Sequence, residues 1–351
     1  MELKWLAWEI TRRCNFHCVH CRSSSDDGPA NQVQFSFAEA TRFLDDLAQL
    51  AKPVVVLSGG EPLLHSDVFT IAEYGDKKGF RMCLATNGSL ITETMCQAIK
   101  DAQIKMVSLS LDGASAEVHD GFRGQPGAFE SVMRAAAYFR QHEIPFIINS
   151  SFSKRNQQDI VECFRLAKTL GAQAWYLFMV IPTGRGEALL EELIAPSDYQ
   201  EILDWHYQIE KSEDHILLRP TCAPHYYRVR FQHNRKNKDR EKPRSLSFSP
   251  GGGKGCLAGQ TIGMVTATGE LQACSYLPIS AGNVKQKPIR AIWEESELFQ
   301  NLRNFSAYKG RCGQCEFIKI CGGCRARAYM MDGDYMAEEP FCDYQPLRSR
   351  P

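Results

Sequence analysis

Short apolar, β-branched runs alternate with amphipathic helical stretches through the first half of this 351-residue chain. The strand-like runs are LAWEI, VVVLSG, RMCLAT, MVSLSLDG, FIINSSF and AWYLFMV. Helical patterns lie between them, at SFAEATRFLDDLAQLA and around 67–79, 92–102, 127–141 and 156–170. In the first of these, Phe37, Phe43, Leu44, Leu47 and Leu50 share one face, and Ser36 stands at the cap position. Repeated strand–helix units select a parallel sheet covered by helices. Six units are too few for a closed eight-fold barrel. The expected fold class is therefore α/β, either an open partial (β/α)6 barrel or a doubly wound sheet. Both place their active site at the carboxyl ends of the strands.

Four polar or Gly-rich loops fall at that rim. They are CNFHCVHC (14–21) after the first strand, SGGEP (58–62) after the second, TNG after the third and SLDG ending the fourth. The first loop carries Cys14, Cys18 and Cys21. Three thiols are one short of a structural zinc site and one too many for a disulfide. Thiolates are also the usual ligands of iron–sulfur clusters, and three on a four-iron cube leave one iron open. A zinc loop completed by His17 or His20 is the alternative.

The cysteine total is high for a reducing compartment, at fourteen, and clustered thiols there point to metal binding or catalysis. Seven more lie in the tail, at 256, 274, 312, 315, 321, 324 and 342. Cys83, Cys96 and Cys163 stand apart in apolar stretches and read as core residues. The 41 basic and 41 acidic residues balance, so no overall field favours nucleic acid or an anionic membrane. No apolar run approaches the roughly 20 residues of a membrane span. The start, MELKWLAWEI, lacks a signal core, and a cytoplasmic location is expected. The pattern changes after about residue 190. SDYQEILDWHYQIEK reads as a helix, and residues 231–255 hold seven basic residues, two acidic ones and a glycine run. That stretch is either a solvated linker or a clamp for an anionic substrate. The expected division is 1–190, a linking segment 191–255, and a cysteine-rich unit 256–347.

Cys14-x3-Cys18-x2-Cys21 together with SGGEP, ATNG and SLSLDG resembles the radical S-adenosylmethionine (SAM) superfamily. The resemblance covers roughly residues 3–190. It implies a 4Fe–4S cluster on the three cysteines whose open iron chelates SAM, and reductive cleavage of SAM to a 5′-deoxyadenosyl radical. By the same likeness His20 lies near the adenine, and Gly59, Gly60 and Glu61 receive the methionine ammonium. Ser110 and Asp112 are candidates near the ribose, with Asn149 and Ser151 less specific; ordinary turn polarity is the alternative for these four. Arg123 and Arg185 are either structural or carboxylate-binding.

The tail reads Cys256-x12-Gly269-x4-Cys274, then Cys312-x2-Cys315-x5-Cys321-x2-Cys324, then Cys342. This resembles the SPASM extension, which implies one or two auxiliary 4Fe–4S clusters. By matching order, Cys312, Cys315, Cys321 and Cys342 form one ligand set, and Cys256, Cys274 and Cys324 the other. CGGC is one residue shorter than the usual Cys-x3-Cys, which leaves the individual assignments open. Cys222 in PTCAPHYYRVR is the candidate eighth ligand, and zinc ribbons are the alternative. Arg325 and Arg327 in CGGCRARAY would steady reduced clusters.

TCAPHYYR, GCLAGQ, LPISAGNV and CGGCRARAY are similar to the tetrapyrrole branch of these enzymes, the heme b synthases of the siroheme-dependent pathway and their d-type heme relatives. That resemblance implies oxidative decarboxylation of two propionates of iron-coproporphyrin III to the vinyls of protoheme. It also implies an electron acceptor and a low-potential donor such as flavodoxin or ferredoxin. His225, Tyr226, Tyr227, Arg228 and Arg230 form a candidate grip on the anionic substrate, with Arg123 and Arg185; a strand or linker with solvated ends is the alternative. Rival functions are a peptide maturase, another tetrapyrrole side-chain removal, and a non-catalytic metal-binding module.

Overall fold

Fully buried strands need both faces apolar, and β1 (Trp5–Thr11) has Leu6, Trp8 and Ile10 on one face and Ala7 on the other. The structure, a computed structural model, describes residues 1–237, 246 and 253–347. β1 is followed by β2 (Val54–Gly59), β3 (Arg81–Thr86), β4 (Met106–Ser110), β5 (Phe146–Phe152), β6 (Ala174–Met179) and β7 (Leu217–Thr221). Neighbouring pairs from β1 to β7 all run parallel. The crossovers are α1 (Phe37–Leu50), α2 (Val68–Lys77), α3 (Glu93–Asp101), α4 (Ala116–Arg123) with α5 (Ala128–Gln141), α6 (Ile160–Thr169) and α7 (Pro196–Ser212). Ser36 caps α1 in a reciprocal pair with Glu39, and Thr92 and Ser115 cap α3 and α4.

The pleat divides the core in two. Leu6, Trp8, Val55, Leu57, Leu84 and Leu109 face the helices. Val54, Val56, Cys83, Met106, Ile147, Ala174 and Leu217 form a thin inner layer inside the curved sheet. Cys96 and Cys163 are buried in the helix-side core and Cys83 in the inner layer, as small hydrophobes.

Two features lie beyond the sequence reading. The segment read as helix and linker contains a seventh parallel strand, β7, and α8 (Tyr226–Asn237). The basic, Gly-rich stretch proposed as a clamp lies largely outside the described residues. The tail also joins the same sheet: β8 (Ile262–Val265) pairs parallel to β1, with Trp5 opposite Ile262, and β9 (Glu270–Gln272) and β10 (Ser280–Asn283) follow antiparallel. Among the described residues the sheet runs β10-β9-β8-β1-β2-β3-β4-β5-β6-β7 and does not close. Pairing β8 to β1 brings Cys256 and Cys274 to the cavity that Arg22, just past the first loop, also lines.

Candidate functional site

The first-loop cysteines gather with Phe16 and Ala128 in a small apolar cluster at the end of β1. Burial pushes the Cys14 thiol up to about 12, and the Phe16 amide opposes it. Burial raises Cys18 as well, against the pull of Arg123, whose Nη1 lies 3.8 Å from its sulfur. Arg123 and Asp112 form a buried ion pair at 2.6 Å, and Asp112 Oδ1 accepts from the Ser151 amide at 2.6 Å. Arg185 donates to the Cys18 and Ser25 carbonyls at 2.9 and 2.8 Å. Both arginines therefore contact the first loop. Asp112, expected beside a ribose, pairs with Arg123 and accepts from the Ser151 amide.

Glycine is required where loops meet. A Cβ on Gly60 would lie 2.1 Å from the Arg13 carbonyl, so only glycine lets the SGGEP loop press on the end of β1. Gly184 has φ +57, and a Cβ there would lie 2.4 Å from the Arg22 carbonyl. Glu61, expected to receive an ammonium, is buried, and both oxygens accept from the chain itself: Leu63 and Asn87 amides and the Thr86 hydroxyl, at 3.1, 2.8 and 2.9 Å. Burial still pushes its carboxyl up to about 7. It ties the ends of β2 and β3 together.

His20 stacks on Phe122 at 4.4 Å, and burial drives its ring well below the usual histidine value. Its Nδ1 and the Asn149 Oδ1 are buried without a hydrogen-bond partner. Ser110 and Ser151 end β4 and β5 half-buried on the same rim. The expected set is thus brought to one place, with two unsatisfied polar atoms available to a bound group.

The tail cysteines sort into two sets of four. Cys222, Cys256, Cys274 and Cys324 are among the residues lining a cavity of about 380 Å³ at the barrel mouth. Burial lifts Cys222 well above the usual thiol value, and Cys324, Cys274 and Cys256 add to the rise. Cys222 also sits at φ +58, a backbone conformation that non-glycine residues adopt at a cost. Cys312, Cys315, Cys321 and Cys342 line a second pocket further out. Among the described residues no three His, Cys, Asp or Glu side chains surround a single-ion position. Four thiols at each place match the four-cysteine complement of a four-iron cube.

The proposed substrate grip separates. His225 packs at a tilt against Tyr199, Tyr226 bonds Glu210, and Arg230 lies 3.8 Å from Glu210. Arg228 faces the outer thiol pocket. Only Tyr227 of that group lines the large cavity. Sequence reasoning missed Arg22, Arg219, Tyr176 and Tyr276, which line it too, with Lys254 from the basic stretch offered as a clamp. Arg219 carried a signal: a cation inside the apolar run LLRPT. Arg22 follows Cys21, pairs with Glu9 at 2.9 Å and reaches the Ser275 carbonyl at 3.5 Å, next to Cys274.

A family model described as the radical SAM superfamily matches residues 8–167, and one described as SPASM, an iron–sulfur cluster-binding domain, matches 256–324. The AdoMet-dependent heme synthase of Methanosarcina barkeri is 45% identical over 342 residues, 97% of this chain and 96% of that one. The protein of the same name from Nitratidesulfovibrio vulgaris is 40% identical over 354 residues, 99% and 94% of the two chains. Streptococcus suis SuiB bound to S-adenosylmethionine shares the fold, with a TM-score of 0.75 at 16% identity, over 98% of this chain and 78% of that one. The three-thiol loop, the open parallel barrel and the seven tail thiols with Cys222 thus have one explanation: the chain belongs to the radical SAM superfamily, in the SPASM-bearing family that includes the AdoMet-dependent heme synthases.

Proposed function

We propose that the protein is a SAM-dependent radical decarboxylase that turns two propionates of iron-coproporphyrin III into the vinyl groups of protoheme. The observation that carries this reading is the cavity. It runs from Arg22, just past the first cysteine loop, to the inner thiol set, and it combines a broad apolar wall with cations and phenols. A flat, apolar macrocycle with four carboxylates asks for that combination.

Trp5, Val54, Val56, Met106 and Ile147 supply the apolar wall. Arg22, Arg219 and Lys254 face the carboxylates, and Tyr176, Tyr227 and Tyr276 add phenols. Cys14, Cys18 and Cys21 hold the first cluster, with His20, the Gly59–Glu61 loop, Ser110, Asn149 and Ser151 bordering SAM. The inner and outer sets hold auxiliary clusters, each with four thiols, and residues 256–347 with Cys222 form that unit. When bound, these groups supply a hydrogen-abstracting adenosyl radical and a sink for the electron that each lost carboxylate leaves behind. The chain's own contribution is to fix geometry. Arg123 and Arg185 hold the cluster loop, Glu61 ties the second and third strand ends, and the apolar wall keeps water from a reactive centre. A flavodoxin- or ferredoxin-type donor in the cytoplasm supplies electrons. Among the described residues no helix is long and apolar enough to cross a membrane.

The test is the Cys14/Cys18/Cys21→Ala protein, reconstituted anaerobically. It should lose 5′-deoxyadenosine formation and the iron of one cluster while keeping the tail iron. Iron content equal to the unaltered protein would overturn the site assignment.

A further inference from the structure

Arg22 is the first residue after the thiol loop, and its side chain reaches out of that loop into the cavity. Other residues fix the backbone on both sides of it. Arg185 donates to the Cys18 and Ser25 carbonyls through its side chain and to the Cys21 carbonyl through its amide, at 2.9 Å for the last. Arg12 donates to the Ser23 carbonyl at 2.7 Å.

The Arg22 guanidinium is held at one corner. Nη1 stands 2.9 Å from Glu9 Oε1 and 3.1 Å from the Met264 sulfur, and it reaches the Ser275 carbonyl at 3.5 Å. Among the described residues neither Nε nor Nη2 has a partner. Those two nitrogens form the side-on edge of a guanidinium, the edge that takes a carboxylate through two parallel hydrogen bonds.

Glu9 alternates along β1 with Trp5 and Ala7, which line the cavity. It is 2% exposed, and its second oxygen accepts from the Ala267 amide at 3.4 Å. Among the described residues Arg22 is the one cation in salt-bridge contact with it. A buried carboxylate needs such a partner, so the pair is in place before any substrate enters.

A carboxylate that must leave as carbon dioxide asks for a modest hold. An unpaired guanidinium in an enclosed site would bind it tightly and be stranded when it left, which stabilises the bound state more than the transition state. Arg22 keeps Glu9 throughout. Its free edge can orient a carboxylate, and its charge stays balanced once that carboxylate is gone.

We propose that Arg22 holds the propionate undergoing decarboxylation, and that Glu9 is a positioning residue whose charge loosens that hold enough for carbon dioxide to depart. Of the cavity's described cations, Arg22 alone adjoins a first-loop thiol in the chain; Arg219 on β7 and Lys254 anchor carboxylates that do not react. In the step served, the β-hydrogen ends up on 5′-deoxyadenosine and the bond to the carboxylate carbon breaks. Carbon dioxide leaves, one electron passes to a one-electron acceptor, and the vinyl remains. This rests on the reading that iron-coproporphyrin III is the substrate.

The experiment measures binding and turnover separately. Iron-coproporphyrin III is titrated into the anaerobic reconstituted protein without SAM or reductant, and its absorption gives the Kd. The complete reaction at saturating substrate gives the rate of carbon dioxide loss from porphyrin mass. Glu9→Gln keeps the shape and removes the charge, and should lower both the Kd and the rate at saturation by about tenfold. Arg22→Gln should raise the Kd by about tenfold to a hundredfold with its first-cluster iron retained, and Arg22→Lys, which keeps the charge without the fork, should fall between. Should Arg22→Gln lose that iron, Glu9→Gln alone decides. A Glu9→Gln protein that binds no tighter, or turns over as fast as the unaltered protein, overturns the proposal, and so does an unchanged Kd in Arg22→Gln. Failure of the unaltered protein to bind iron-coproporphyrin III overturns the substrate reading beneath it instead.

Discussion

Arg123 and Asp112 allow a sharp test of how the cluster loop is held. Asp112 is 0% exposed, its Oδ2 lies 2.6 Å from the Arg123 guanidinium, and Oδ1 is bonded by the Ser151 amide. Arg123→Met leaves a buried carboxylate with one hydrogen bond, a change that costs ~3–5 kcal/mol. Asp112 avoids part of that cost by holding a proton. Burial already raises its carboxyl above the ordinary value, with Arg123 opposing, and losing Arg123 raises it further. A carboxyl raised on folding removes stability as pH climbs from its unfolded value through its folded one. The deficit of Arg123→Met should therefore be small near pH 4 and approach the full figure toward pH 8. Asp112→Asn/Arg123→Met should recover much of it and flatten the pH dependence, as in a double-mutant cycle. The assay is thermal unfolding of the cluster-free protein, followed by tryptophan fluorescence across pH. Additive losses for the two single variants, or a deficit independent of pH, would refute the argument.

Three further outcomes follow from the geometry. Gly60→Ala, whose methyl would meet the Arg13 carbonyl at 2.1 Å, should displace the first loop, losing one cluster's iron and SAM cleavage while the tail iron stays; full first-cluster occupancy would show that the loops tolerate separation. Cys222→Ala should leave the inner cluster with three thiolates, altering its paramagnetic resonance signal and stalling decarboxylation while SAM cleavage continues; an unchanged signal removes Cys222 from the ligand set. Arg219→Met removes a charge-assisted contact worth ~1.5–3 kcal/mol and should raise the KM for iron-coproporphyrin III by about tenfold to a hundredfold, and an unchanged KM takes Arg219 out of the substrate site.

Periodicity was enough to read the strand–helix alternation, the cap at Ser36 and the rim loops, because those are local properties of backbone and burial. The thiol spacing carried the first cluster loop for the same reason. What sequence could not convey was partnership across the fold. Arg123 and Arg185 each allowed a structural or a carboxylate-binding role, and their approach to Cys18 is a contact across the fold that local spacing does not carry. Glu61 looked open to a ligand because the donors it accepts from, at Thr86 and Asn87, are remote in sequence. The run HYYRVR looked like one grip, yet on α8 its residues point to different neighbours: Tyr227 to the cavity, Arg228 to the outer thiols, Tyr226 to Glu210. β7 was missed because Arg219 and Pro220 interrupt its apolar run. The joining of β8 to β1 is a long-range pairing, for which short strands carry little signal.

The most direct measurement is the mass of the porphyrin product. The reconstituted protein is incubated anaerobically with SAM, a low-potential reductant, an electron acceptor and iron-coproporphyrin III, and both 5′-deoxyadenosine and porphyrin are followed. The account predicts two successive losses, each of carbon dioxide plus two hydrogens, ending at protoheme. Deoxyadenosine formed over an unchanged porphyrin, or a loss of whole propionates, would contradict it.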